Sequence, residues 1–512
     1  MFNHFFERLN PSLPILKFKK KEMRYFTLII ATLFSINFVI AQGIGDAVRY
    51  SSYDPIGTAR TVGVGSAFGA LGGDFSVIGI NPAGIAEYRV GELTITPSIG
   101  TSSTNSFFVD DVQNTKRSRS NFLLDNIGFV GSNSPTGSKW QTSNWAVGFS
   151  KLVNFNRNIN IVGSTEGSIT ERFVELANGK SLDDLDGFEA GPAYDAGAIF
   201  LNANGNYDTD YLEDDVVDKE QFIDQKGSIN ELSLAWAGNY DNQLNVGISV
   251  GIPFVSFSET KTYKEGVTEG DFSNQLEYVE SLNTTGAGFN IKFGVQYKAM
   301  RQLRIGAAIH SPTWYTLNDD YSSLVNYEYT STTDSYTGSG QSPDGSFKYK
   351  LTNPWKAVGS IGSIYKIGEI KGFINVDFEF LDYTNNEFDF TSHSTDPSEV
   401  QFTQEVNGEI DNQLGSATNI RIGTELAYNS IRVRAGYSIS TSPYISDTDK
   451  FTAWSAGLGF RADKFFIDFG YRRKSTQEGY NSYVVLDQEN RDPLANIETE
   501  YGRMVATIGF KF

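Results

Sequence analysis

The chain contains no cysteine, which excludes disulfides, thiolate metal sites and a cysteine nucleophile. Histidine is almost as scarce: there are three, His4, His310 and His393. So few imidazoles give no cluster for haem and little material for a Ser–His or acid–His constellation. No enzymatic activity, cofactor or metal is expected. Basic residues are in deficit, 42 Lys and Arg against 61 Asp and Glu, for a formal charge of −19. Nucleic acid, which requires a basic footprint, is therefore not an expected partner. Proline is sparse at 14 residues, while Gly (50), Phe (38) and Tyr (26) are plentiful, which favours strands joined by turns. Beyond the first 41 residues no stretch is long and apolar enough for a transmembrane helix.

The N-terminal region reads as a targeting segment. Met23-Arg24 precedes an apolar run ending Val39-Ile40-Ala41, with small or apolar residues placed as in a secretory signal peptide. Cleavage after Ala41 is expected. A retained anchor is the alternative, but the run is short for a span and its exit is small. Residues 1–22 read either as an extended basic leader or as sequence upstream of a true start at Met23. A secreted chain without a further helical span is soluble outside the inner membrane or a β-barrel.

From Gly91 onward the hydrophobic pattern has period two. In the last segment Met504, Ala506, Ile508, Phe510 and Phe512 share one face, opposite Arg503, Val505, Thr507, Gly509 and Lys511. The same alternation recurs in fourteen segments between 91 and 512, and the polar face carries Arg, Lys, Asp, Glu and Gly. Connections alternate between long stretches, such as 154–228 and 316–346, and tight turns, such as Asn429-Ser430 and Asp463-Lys464. Even strand number, alternating faces and long-short loop asymmetry predict an all-β, transmembrane antiparallel barrel of about 14 strands in an outer membrane. Pairing Tyr428 with Ile431 sets Glu425 opposite Arg434, an expected cross-strand ion pair. By parity His310 points inward, as a polar lumen residue.

Within 154–228, Ser168 and Glu171 form a capping box for a helix bearing Ile169, Phe173 and Leu176; a second helical pattern covers YLEDDVVDKEQFID. The acidic runs Asp183, Asp184, Asp186 and Asp208, Asp210, Glu213, Asp214, Asp215 lack the spacing of a calcium loop and read as solvated surface.

Residues 42–90 are different: small, Gly-rich and nearly uncharged. There Asn81 suits a cap and Pro82 the first helical position, so Asn81-Pro82-Ala83 reads locally as a capped turn feeding the first strand. The order of signal segment, small-residue segment ending GDFSVIGINPAGIA, and strand-rich chain ending in Phe512 resembles the FadL/TodX family of outer-membrane transporters for long-chain fatty acids and other hydrophobic compounds. The motif-level likeness covers roughly residues 58–88 and the last strand; elsewhere it is one of layout. The resemblance implies an N-terminal hatch (42–90) plugging a barrel (91–512), with Asn81, Pro82 and Ala83 as hatch motif. It implies Phe512 as the signal read by outer-membrane assembly machinery, and a hydrophobic small molecule and outer-membrane lipid as partners. It further implies capture at outer loops, for which Trp314, Tyr315, Tyr321, Leu324 and Val325 are the aromatic-rich candidates beside a plain packing role. Lateral release through a kinked third strand is also implied; Gly148 is the candidate kink, or a packing glycine. The alternative function is a structural or adhesive barrel whose long acidic loops hold a surface partner.

Overall fold

The computed structural model describes residues 43–53, 57–109, 113–211, 216–269, 272–393, 397–485 and 493–512. The expected signal segment and Glu213, Asp214 and Asp215 lie outside them. Nineteen strands form one sheet, and fourteen of these close it into an antiparallel barrel. In chain order the wall strands are β1 (Glu92–Phe108), β2 (Thr115–Gly131), β3 (Trp140–Asn154), β5 (Val216–Tyr240), β6 (Leu244–Glu269), β7 (Phe272–Lys298), β8 (Leu303–His310), β12 (Lys356–Ile367), β13 (Ile370–Asp382), β15 (Ser416–Tyr428), β16 (Ile431–Thr441), β17 (Lys450–Arg461), β18 (Phe465–Asn481) and β19 (Leu494–Lys511). Closure comes from β1 on β19, with Glu92 opposite Lys511 and Phe108 opposite Ala495. The remaining strands, β4 (Arg157–Glu166), β9 (Trp314–Thr330), β10 (Ser335–Gln341), β11 (Gly345–Thr352) and β14 (Glu387–Asp389), extend the sheet at the end of the long connections.

The period-two pattern has its expected cause. On β19, Met504, Ile508 and Phe510 are exposed while Val505 and Thr507 are buried. Outward aliphatic side chains recur around the wall, as at Ile248, Ile305, Ile422 and Leu458, and Trp145, Trp236, Tyr297 and Phe460 add aromatics near the short turns. That band and its girdle belong to a barrel seated in the outer membrane. Phe512 lies at the same end, 67% exposed and stacked on Phe129 at 5.5 Å.

Strand lengths differ from the pattern read in sequence. β5, β6 and β7 are 25, 26 and 27 residues long, against about 10 needed to cross a bilayer. Much of what reads as long loop is therefore strand continuing outward. The described part of YLEDDVVDKEQFID from Val216 onward is not helix but β5, with Ile223 paired to Ile159 on one side and Lys261 on the other. Two-sided ladder pairing outweighs the local helical period there. The stretch 316–346 is likewise a pair of strands, β9 and β10.

The alternating segments 302–315 and 347–366, each expected as one strand, are broken at one height. β8 stops at His310 and β9 begins at Trp314; β11 stops at Thr352 and β12 begins at Lys356. Pro312 and Pro354 sit in the gaps, where a residue without an N–H cannot continue a ladder. Asn353 N still bonds Thr313 O at 2.9 Å across the break.

The helices are few: α1 (Ile44–Ser51), α2 (Ala59–Gly63), α3 (Ile169–Ala177), α4 (Ala190–Ala196) and α5 (Pro397–Gln413). The capping box of α3 forms as the sequence implies, and Ile169, Phe173 and Leu176 join a core with Tyr278 and Val325 from the strand extensions. Helices α3 and α4 thus pack on the outward sheet.

Candidate functional site

The described residues 43–53 and 57–90 lie inside the wall, and the small side chains of the second stretch let backbone meet backbone. At the centre is the Pro82–Glu87 3₁₀ turn. Asn81 caps it, its Oδ1 accepting from Ala83 N at 3.2 Å. The other end of the same amide donates to Gly69 O at 2.8 Å and Val295 O at 3.1 Å, so one side chain closes the turn and ties it to β7. The wall receives the turn through two glycines. A Cβ on Gly294 would lie 2.0 Å from Asn81 Oδ1, and one on Gly247 would lie 2.5 Å from Ala83 N. Asn81, Pro82 and Ala83 thus occupy a socket between β6 and β7.

Wall side chains satisfy the segment's remaining backbone groups. Gln296 donates to Leu71 O (2.6 Å), Asn144 to Ile85 O (2.8 Å) and Thr142 to Ala86 O (2.7 Å). Asp377 accepts from Phe68 N (2.8 Å), and His310 Nε2 meets Ile80 O at 3.0 Å. His310 is buried on a plug carbonyl, deeper than a rim residue. Arg60 of α2 reaches Glu425 at 3.1 Å, and Glu425 takes Arg434 at 2.6 Å, the cross-strand pair read from the sequence. Gly148 lies within the β2–β3 ladder, and a Cβ there would meet the Phe75 ring at 2.3 Å.

The first turn-and-helix of the segment stands higher, against the proline breaks. Asn353 Nδ2 donates to Tyr50 O (2.5 Å) and Tyr53 OH (3.1 Å); Tyr53 OH meets Tyr315 OH (3.0 Å), and Ser52 Oγ meets Tyr383 OH (3.2 Å). Burial pushes the Asp46 carboxyl up to about 6, against the pull of its Arg49 partner. Replacing Asn353 with alanine removes two bonds worth about 1 kcal/mol each. Amide exchange in residues 44–53 is expected to accelerate roughly ten- to thirty-fold, read by mass spectrometry, while the rest of the barrel stays protected.

Above the plug is a cavity of about 1010 Å³. Phe155, Ile159, Ile223 and Phe257, from the β3–β4 corner and β4 to β6, give it an apolar patch beside Arg157, Glu259 and Lys261 of the same strands; Phe155 and Phe257 pack edge to face at 5.1 Å. Arg421, Arg472 and Lys474, from β15 and β18, give a charged one. A second depression, about 860 Å³, lies on the strand extensions and is lined mainly by polar and charged groups such as Asp218, Glu220, Lys264 and Glu277. No plug residue lines it, so the lumen cavity is the functional candidate.

The wall beside that cavity has a seam. β1 and β2 pair from Glu92–Val130 up to Ser106–Thr115, but β2 and β3 pair only from Gly131–Trp145 to Asn126–Ser150. Beyond Ser150 the third wall strand steps inward, with a register shift against β5 between Lys151 and Val153. It then continues as β4 behind β1, where Ser102, Thr104 and Ser106 donate to Asn156 O (3.2 Å), Asn158 O (2.6 Å) and Asn160 O (2.8 Å). The outer half of β2 is thus left without a ladder partner on that side.

The aromatic-rich stretch 314–325 is strand β9, so its residues alternate between faces instead of lining one groove. Trp314 faces outward, stacked near Phe289 at 6.4 Å; Tyr315 points in to Tyr53; Tyr321 packs on Phe188; Leu324 is half-buried and Val325 belongs to the α3–α4 core. Sequence reading missed Phe155, Phe257 and the point, after Ser150, at which the third strand leaves β2, because bulges and inward steps break the parity on which it relies.

No family model and no curated protein sequence matches this chain. Solved folds do. A Pseudomonas aeruginosa FadL homologue superposes with a TM-score of 0.53 at 10% identity, over 90% of this chain and 100% of that one. The P. putida toluene transporter TodX gives 0.48 at 11% identity, over 90% and 99%. The Ralstonia pickettii toluene transporter TbuX gives 0.48 at 13%, over 90% and 99%. The chain has the FadL/TodX fold.

Proposed function

We propose that this FadL-type outer-membrane barrel is a channel for hydrophobic small molecules, with long-chain fatty acids as its ligand type, moving inward by diffusion. The observation that carries this reading is a lumen cavity above a sealed plug that offers an aromatic and aliphatic patch together with charged groups. An apolar chain gains about 25 cal/mol per Å² on leaving water, so the Phe155–Phe257 patch favours a hydrocarbon tail. The Arg421, Arg472 and Lys474 patch suits a polar head better than a bare hydrocarbon would use it. The plug closes the straight path to the periplasm with a mesh of buried hydrogen bonds, which leaves two routes: plug rearrangement, and sideways release at the β2–β3 seam. Capture at the outward strand extensions completes the path.

The test is uptake of labelled hexadecanoate by intact cells that lack their own channel for such compounds. Cells carrying the protein are expected to accumulate label faster than vector controls. Deleting residues 43–87 should leave a folded barrel that admits small hydrophilic solutes and loses its preference for the apolar one. Identical uptake with and without the protein would overturn the reading and favour a surface-binding barrel.

A further inference from the structure

Two buried lysines of the wall strands make no ion pair among the described residues: Lys219, on the outward extension of β5, is held by the carbonyls of Thr165, Glu166 and Gly167, whereas Lys151 has a single neutral amide. Lys292 sits on Glu231, Lys356 lies 3.4 Å from Glu379, and Lys298 lies 2.9 Å from Glu87. Lys151 is only 7% exposed, yet among the described residues it makes no ion pair; its Nζ donates to the neutral amide of Asn230 at 2.9 Å. An ionisable group buried in a membrane wall without a counter-ion is costly, and such groups mark ligand paths.

Its place in the fold gives it a path to mark. Ser150 is the last residue of β3 paired to β2, and Lys151 follows it directly, at the register shift where the strand turns inward. Across the seam Asp125 stands at the matching irregularity of β2, next to Asn126, the last paired residue on that strand. Asp125 is fully buried and takes Arg503 Nη1 at 3.4 Å. Asp125 and Arg503 are also the charged neighbours of Lys151. Arg503, together with Val153 and Asn154 just beyond Lys151, lines the lumen cavity. Lys151, Asp125 and Arg503 therefore form a threshold between cavity and seam.

We propose that Lys151 is a specificity-determining residue at this threshold, recognising the anionic head of an amphiphile as it passes sideways through the β2–β3 seam. The inference rests on the transport reading above. Asp125 lies on the guanidinium of Arg503, and Lys151 has no ion pair of its own among the described residues. A singly charged head supplies the missing counter-ion, and the tail follows between β2 and the inward step of β3. A neutral head of the same chain length gains nothing there.

Uptake of hexadecanoate and of hexadecanol by intact cells separates the two heads on one tail. Lys151→Met is expected to lower hexadecanoate uptake about tenfold relative to hexadecanol, the size of one charge-assisted contact. Lys151→Arg should restore most of the ratio. Asp125→Asn, which strips a carboxylate from the threshold, should move the ratio the opposite way, toward the anion. An unchanged ratio in Lys151→Met, an equal fall for both compounds, or failure of Lys151→Arg to rescue would overturn the proposal. Neither compound entering wild-type cells faster than vector controls would instead sink the transport reading, and this inference with it.

Discussion

Replacing Gly294 with valine is expected to eject the Asn-Pro-Ala turn from its socket while the barrel still assembles. The reason is the absence of room. The new Cβ would stand 2.0 Å from Asn81 Oδ1 and 3.0 Å from Pro82 Cδ. Asn81 cannot swing away, because its amide spans Ala83 N, Gly69 O and Val295 O. Accommodating valine means breaking those bonds or displacing the strand, at roughly 3 kcal/mol or more of plug seating. The wall itself loses nothing, since valine suits a strand. Folded barrel should still be visible as heat-modifiable mobility on gels, while residues 43–90 become open to protease and hydrophilic solutes enter. Asn81→Ala removes the cap and the tie without a clash, so it should give the same changes at smaller amplitude. A Gly294→Val protein as protease-resistant as wild type would show that the turn is not seated by this contact.

The second large effect is expected at Asp468. This carboxylate is fully buried and takes Arg434 Nη1 at 2.9 Å and Arg461 Nη2 at 2.7 Å. Arg434 is itself fully buried and also bonds Glu425, which holds Arg60 of the plug. In Asp468→Ala one carboxylate, Glu425, is left among three guanidiniums, of which that of Arg434 is fully buried. Breaking a buried pair by removing one partner costs about 3–5 kcal/mol. The urea midpoint of the detergent-solubilised barrel should fall accordingly, and the plug should loosen through Arg60. Replacing the partner as well, in Asp468→Ala/Arg434→Met, should recover much of the loss, because the uncompensated charge is gone. A double variant no more stable than the single one would mean that packing, not charge, holds this region.

Both effects lie at positions of uneven legibility. The pairing of Glu425 with Arg434 followed from a two-residue turn, because a turn of known length sets register and register sets neighbours. The third member, Asp468, comes from a strand two further round the wall and had no local signal. Gly294 read only as an inward-parity glycine; that it faces Asn81 requires knowing where the plug sits.

The sequence by itself determined the number of wall strands, the faces of those strands and the helix at Ser168. Each follows from a local period or a cap, and local physics suffices to read these. The extent of β5 to β7 beyond the membrane, the breaks at Pro312 and Pro354, and the fate of Trp314 to Val325 were decided by the tertiary structure. There a strand continues or stops according to whether a neighbour offers its hydrogen-bonding edge, and that neighbour can be tens or hundreds of residues away. Lys151 is the sharpest instance. In the sequence it is a lysine in an alternating strand; only the loss of pairing at Asn126 and Ser150 and the inward step that follows leave it buried beside the cavity, with no ion pair among the described residues.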